Sequence, residues 1–150
     1  MQAKLRIGDE RREGDIVTAV DGSIDSDDGI ETAIAISLFT DRLATESDGA
    51  HVGEDRRGWW FDALDSDPTT RTGSRLWLLE SATLTDETLR RAEDYANEAL
   101  VWMVDEGVAR SVETKAARAG DEAAQMTTTV TRAEDGSPYS ITWELHYAVR

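Results

Sequence analysis

Hydrophobic positions follow a helical period through the middle of the chain and a period of two toward its end, with glycine-broken polar stretches between. Ile30, Ala33, Ile34, Ser37, Leu38 and Asp41 recur at helical spacing, and Ile36 and Phe39 widen the apolar face, which predicts a helix over residues 30–44. Residues 45–55 are polar and carry Gly49 and Gly53, so they read as a loop. Residues 57–64 form a short helix or turn presenting Trp59, Trp60 and Phe61, and residues 65–73, with Pro68, form a second loop. Ser74 can cap a short helical segment that runs through Leu79.

The clearest element begins at Thr85, a good N-cap, with Leu84 and Leu89 at the positions of a hydrophobic staple. Asp86 and Glu87 occupy the first turn, where the helix dipole favours negative charge. Leu89, Ala92, Ala96, Ala99, Leu100 and Met103 make one stripe with Trp102 at its edge, and Gly107 is a natural terminator, giving a helix over residues 86–106. Past Gly107 the period changes to two. Val108, Arg110, Val112 and Thr114 alternate with Ala109, Ser111 and Glu113; a turn at Gly120 and Asp121 leads into the β-branched run Met126-Thr-Thr-Thr-Val-Thr. A second turn at Asp135-Gly136-Ser-Pro138 leads into residues 140–149, where Ile141, Trp143, Leu145 and Tyr147 alternate with polar neighbours. The expected fold is α+β: two main helices and short helical segments packed on a C-terminal three-stranded antiparallel sheet. The 150 residues read as one domain, with a short extended N-terminal segment (1–27), a mainly helical part (28–106) and a β-meander (107–150).

Composition narrows the class. A hydrophobic fraction of 39% supports a core, and zero cysteines exclude disulfides and thiolate metal sites. No apolar run is long enough for a membrane helix, and the first residues lack a signal-peptide core, so a soluble protein without a Sec-type export signal is expected. The net charge is −15 and uneven: residues 9–67 hold 17 acidic and 5 basic side chains. Such a field repels nucleic acid; it solubilises the surface or attracts a basic partner.

Candidate chemistry is thin. Residues 21–29 superficially resemble a calcium loop, but Ser26 stands where the turn needs glycine and Thr32 where a bidentate glutamate belongs, so an acidic turn is the better reading. His51 and His146, alone and without thiols, do not make a zinc site. Ser74 has no nucleophile elbow around it, and Glu80, Glu98 and Glu106 are carboxylates in an acidic chain rather than a recognisable catalytic pair. No phosphate-binding glycine loop occurs. No catalytic residue, metal or cofactor is expected.

The distinctive feature is a cluster of tryptophan and arginine. Gly-Glu-Asp-Arg-Arg-Gly-Trp-Trp-Phe at residues 53–61 and Gly-Ser-Arg-Leu-Trp-Leu-Leu-Glu at 73–80 hold Trp59, Trp60 and Trp77 beside Arg56, Arg57 and Arg75. Trp and Arg are enriched at the energetic centres of protein interfaces. Trp77 fits the core, whereas one of Trp59 and Trp60, neighbours that point in different directions, is free to reach a partner. The partner-interface candidates are Arg56, Arg57, Trp59, Trp60 and Arg75, with Trp143 and Tyr147 of the last aromatic strand.

These strings, together with Ile-Ser-Leu-Phe-Thr-Asp-Arg at 36–42 and Ala-Leu-Val-Trp-Met at 99–103, resemble the small baseplate protein of Mu-like phages, itself similar to the wedge or sheath-initiator subunit of other contractile tails. The resemblance covers residues 15–115. In the broader wedge family a Glu-Pro-Arg motif follows the long helix; here Met103-Val-Asp-Glu-Gly-Val108 stands in its place, and contacts of that motif do not carry over. The resemblance implies a structural subunit of the virion tail, assembled in the host cytoplasm at sixfold copy number. Its implied partners are larger wedge subunits, tube or hub proteins, and the sheath protein, whose first ring it would template by strand addition. It implies no nucleic-acid or membrane partner. Two other readings stay open: a cell-wall-degrading glycoside hydrolase of the same particle, and an acidic nucleic-acid mimic that inhibits a basic protein.

Overall fold

The computed structural model describes residues 2–6, 29–51, 57–58, 62, 71–121 and 123–146. Strand β1 spans Gln2–Arg6, helix α1 Ile30–Phe39, helix α2 Asp86–Leu100 and helix α3 Trp102–Asp105; strands β2, β3 and β4 span Ala109–Arg118, Ala123–Arg132 and Pro138–His146. The 3₁₀ turns Glu46–His51 and Leu76–Leu79 lie between α1 and α2. The acidic turn expected at 21–29, up to residue 28, and the expected extended N-terminal segment beyond residue 6 lie outside the described residues.

The expected α+β arrangement and its antiparallel C-terminal meander are present, and a fourth strand joins them. The sheet order is β1-β4-β3-β2, with Ala3 opposite Leu145 and Leu5 opposite Trp143. The N-terminal strand therefore makes β4 an interior strand rather than an edge.

Helix α1 follows its predicted stripe: Ile30, Ile34, Ser37 and Leu38 are buried. It stops five residues short of the expected end. Thr40 turns to extended backbone, and its carbonyl accepts the Ser74 N–H at 2.9 Å, while the Arg42 N–H reaches the Ser74 carbonyl at 2.9 Å. A pairing with residues distant in sequence has overridden the helical pattern of residues 40–44.

Helix α2 starts as the sequence dictates. The Thr85 hydroxyl accepts the Thr88 N–H at 3.1 Å, and Leu84 is buried beside the first turn. The predicted single helix to residue 106 tightens at Val101, whose carbonyl accepts from both Val104 N–H (2.9 Å) and Asp105 N–H (3.2 Å), so α3 continues it as a separate turn. Gly107, at φ +73°, ends it in a Schellman motif: Val108 N–H bonds the Met103 carbonyl at 2.8 Å and Gly107 N–H the Val104 carbonyl at 3.1 Å.

The meander departs from strict alternation at one place. A register irregularity between Ala109 and Ser111 inserts an extra residue, so Ala109 is buried although Val112 and Thr114 also turn inward. The helices cover one face of the sheet, where Met126, Val130, Trp143 and Leu145 meet Ala96, Leu100 and Met103. Buried hydroxyls in this core are paired: Thr114 and Thr128 are 2.9 Å apart, and the Trp143 indole donates to Thr128 at 3.4 Å. The other face is polar, with Ser111 bonding Thr131, Thr127 bonding Thr142 and Thr129 bonding Ser140.

Candidate partner interface

The Gly-Ser-Arg-Leu-Trp string is a clasp that ties the segment before α2 to the end of α1. Gly73 has φ +96°, and a Cβ there would sit 2.3 Å from the Thr40 carbonyl oxygen, so the close pairing of Ser74 with Thr40 and Arg42 requires glycine. The Ser74 hydroxyl donates to the Leu38 carbonyl at 2.6 Å and accepts from Leu76 N–H at 3.3 Å. The 3₁₀ turn itself has Arg75 at its N-cap position with no side-chain cap bond, so the capping expected of Ser74 is a minor part of its role. The Trp77 indole N–H closes the clasp by donating to the Arg42 carbonyl at 2.8 Å, and its ring is buried as expected.

Two arginines of the strings, Arg57 and Arg75, are engaged within the chain. Arg75 donates to Asp48 at 2.8 Å and Glu98 at 2.9 Å and lies 4.6 Å over the Tyr95 ring; Arg42 is 4.0 Å from the same Glu98. Burial works against the Arg75 charge, but its bonds to Glu98 and Asp48 outweigh that and raise its pKa. Arg57 pairs with Asp41 at 3.0 Å and Glu80 at 3.4 Å and lies 4.6 Å over the Trp77 ring. Glu80 and Glu98, considered above as carboxylates for catalysis, are thus held by arginines. A depression of about 240 Å³ beside the cluster is lined by Asp48, Leu78, Ser81, Ala82 and Arg91. Its charged walls are occupied: Arg91 donates to the Tyr95 hydroxyl at 2.9 Å, and Asp48 accepts from Arg75 and from Thr45 N–H and hydroxyl.

Asp48 gives this cluster a pH dependence. Burial alone would raise its pKa, but hydrogen bonds from Thr45 and Arg75 win and hold it below the ordinary value of 3.8. A carboxylate with a depressed folded-state pKa adds stability that is fully present above about pH 4 and lost as pH falls through that folded-state value. The melting temperature is therefore expected to drop as pH is lowered from 5 to 2. In Asp48→Asn that component of the drop should be absent when the two melting curves are compared across the range.

The predicted contact residues are distributed unevenly. Arg57 is exposed yet paired, and Arg75 is half-buried in the clasp. Trp143 corrects the expectation. It is 0% exposed, on an interior strand with Phe39 packed edge-on against its ring at 5.5 Å, so it is a core residue and not a contact. Arg56, Trp59, Trp60 and Tyr147 lie outside the described residues.

Surface character comes instead from apolar side chains that the sequence reading assigned to helix faces or left unremarked. Ile36 and Val101 are 55% and 52% exposed, and Phe39, Trp102, Val104 and Val108 are also exposed. The Trp102 indole donates to the Ser37 hydroxyl at 3.0 Å, which fixes the start of α3 beside the middle of α1. The signal for the exposed set was the excess of apolar residues beyond one stripe: Ile36 and Phe39 on α1, and Val101, Val104 and Val108 around the long helix's end.

A family model described as "Phage protein GP46" matches residues 30–137 of the chain. The chain is similar to the "Baseplate protein gp46" of Escherichia phage Mu, at 47% identity over 92 residues that cover 61% of each chain. It is also similar to the "Mu-like prophage FluMu protein gp46" of Haemophilus influenzae, at 43% identity over 101 residues, 67% of this chain and 66% of that one. The matched region thus spans less than two thirds of the length of either relative.

Proposed function

The chain belongs to the phage protein GP46 family, and from that membership we propose that it is a structural subunit of a contractile-tail baseplate. The observation that carries this reading is the 47% identity over 92 residues to a protein named as a baseplate component. The physical character of the molecule agrees. Among the described residues, the charged clusters hold α1 against the segment before α2, while the large exposed apolar side chains lie on α1 and on and around α3.

In this reading the helical layer docks on larger wedge subunits around the tail tube through Ile36, Phe39, Val101, Trp102 and Val104, with Arg57, Arg56 and one of Trp59 and Trp60 at the rim. Burial of apolar side chains supplies the affinity, since each aliphatic group fully covered contributes about 1.5–3 kcal/mol. The sheet templates the first ring of sheath subunits through backbone pairing at an edge, where unpaired N–H and C=O groups are the binding groups. The protein does its work as geometry, at sixfold copy number in the virion tail after assembly in the host cytoplasm, and turns over no substrate.

Deletion of the gene from the phage or inducible prophage that encodes it tests the reading. Electron microscopy of the lysate should show tubes or baseplate fragments without polymerised sheath, restored by the gene in trans. Normal sheath-bearing tails from the deletion would overturn it.

A further inference from the structure

The turn that joins β3 to β4 gathers two arginines from separate strands. Its backbone is closed by Arg132 N–H to the Ser137 carbonyl at 2.9 Å and Gly136 N–H to the Arg132 carbonyl at 3.1 Å, and Ala133 N–H ties it to the Val108 carbonyl at 3.2 Å. Arg110 comes from β2, inside the register irregularity between Ala109 and Ser111. Its guanidinium lies on Gly136, where a Cβ would stand 2.7 Å from Arg110 Nη1. Gly136 is also at φ +73°, so the shape of the turn and the seat of the arginine call for the same residue. Arg132 lies 5.6 Å over the Tyr139 ring, and the Tyr139 hydroxyl donates to Glu31 at 3.0 Å, which ties that ring to the first turn of α1.

A guanidinium carries five N–H donors and grips a carboxylate with two of them at once. The turn arginines have used almost none. Among the described residues, the Arg132 side chain gives one hydrogen bond, from Nη1 to the Ser137 hydroxyl at 3.3 Å, and its Nε is buried with no partner. Arg110 is exposed, and among the described residues its side chain makes no hydrogen bond or ion pair. Asp135, on the turn itself, spends its Oδ1 on the Ser137 N–H at 2.8 Å and forms an ion pair with neither arginine. Arg57 and Arg75, by contrast, each hold two carboxylates of their own chain.

We propose that Arg110 and Arg132 form a carboxylate receptor at the β3–β4 turn, which takes an acidic segment of another baseplate protein. Two guanidinia against neighbouring residues of one turn suit a segment with two acidic side chains, each held through a charge-assisted pair. The charge of the rest of the molecule makes the contact selective. At −15 the chain repels an acidic partner in general, so a segment is held only where its carboxylates fall on the two arginines. The inference rests on the baseplate reading above and adds to it a surface and a partner chemistry.

Photo-cross-linking in assembled tails tests it. The full chain with Glu134→p-benzoylphenylalanine, at an exposed position of the turn, is supplied to the deletion phage or prophage, and purified tails are irradiated. The expected product joins it to another baseplate protein through a peptide that carries Asp or Glu. Adding Arg110→Glu should lower the yield about tenfold or more, since an attractive charge pair becomes a repulsive one. Arg132→Gln should lower it less, and arginine in place of the partner's acidic residue should restore it in the Arg110→Glu chain. Circular dichroism melting verifies the fold of each variant. A folded Arg110→Glu chain that is excluded from tails which take up Arg110→Lys supports the receptor equally. A yield unchanged by Arg110→Glu, a cross-linked peptide without an acidic residue, or no cross-link in tails that contain the chain would overturn the receptor and leave the baseplate reading standing. Intact baseplates that lack the unaltered chain would overturn both.

Discussion

Gly73→Ala is expected to destabilise the protein by about 3 kcal/mol, combining the cost of a side chain at positive φ with that of an overpacked contact. The cause is local and specific: φ is +96°, and the new Cβ would stand 2.3 Å from the Thr40 carbonyl oxygen, which backbone cannot accommodate by a rotamer change. Relief requires Ser74 to move off Thr40 and Arg42, which releases the hydroxyl bond to Leu38 and brings Arg75 away from Asp48 and Glu98. Thermal or urea unfolding of the purified variant reads the loss. Gly107→Ala provides the contrast: it too has positive φ, but nothing lies within 4 Å of its Cβ, so its cost is the backbone term of about 1–2 kcal/mol alone. Equal losses at the two glycines would refute the clasp.

Ile36→Lys with Val101→Lys is expected to leave folding almost untouched and to remove the protein from assembled tails. Both side chains are more than half exposed in the isolated chain, so a lysine at either position keeps its charge in water. If a wedge subunit covers them, the double change forfeits about 3 kcal/mol of apolar burial, or about a hundredfold in affinity. Incorporation is read by complementing the deletion with the variant and blotting purified tails. A melting temperature unchanged within a few degrees, together with loss from the particle, is the expected pair of results; full incorporation would remove this surface from the interface.

Much of the architecture was legible because local signals and tertiary packing agree there. Thr85 with Leu84 and Leu89 marks the start of α2, Gly107 its end, and the alternation of Ile141, Trp143 and Leu145 the buried face of β4. The failures have a common origin in long-range pairing. Helix α1 looked longer than it is because nothing near residues 40–44 reveals that Ser74, far along the chain, captures Thr40 and Arg42. Strand β1, a five-residue Gln-Ala-Lys-Leu-Arg segment, has too little pattern to announce itself. Without it β4 would be an edge of the meander; β1 makes it interior, and Trp143 points into the core beneath the helices. Enrichment of Trp and Arg does not distinguish a guanidinium facing a partner from one facing its own chain. Arg57 and Arg75 have Asp41, Asp48, Glu80 and Glu98 as partners within the chain, and no spacing rule pairs residues so far apart. The exposed apolar set was present in the sequence as surplus hydrophobic positions, but the helical period alone could not say which side of the surplus is uncovered.

The most direct test of a baseplate role is the composition of the particle itself. Quantitative mass spectrometry of purified tails from the phage or induced prophage that encodes the chain should find it in stoichiometric ratio to the baseplate proteins, in fractions that retain the baseplate. Tails with intact baseplates that contain none of it would contradict the account.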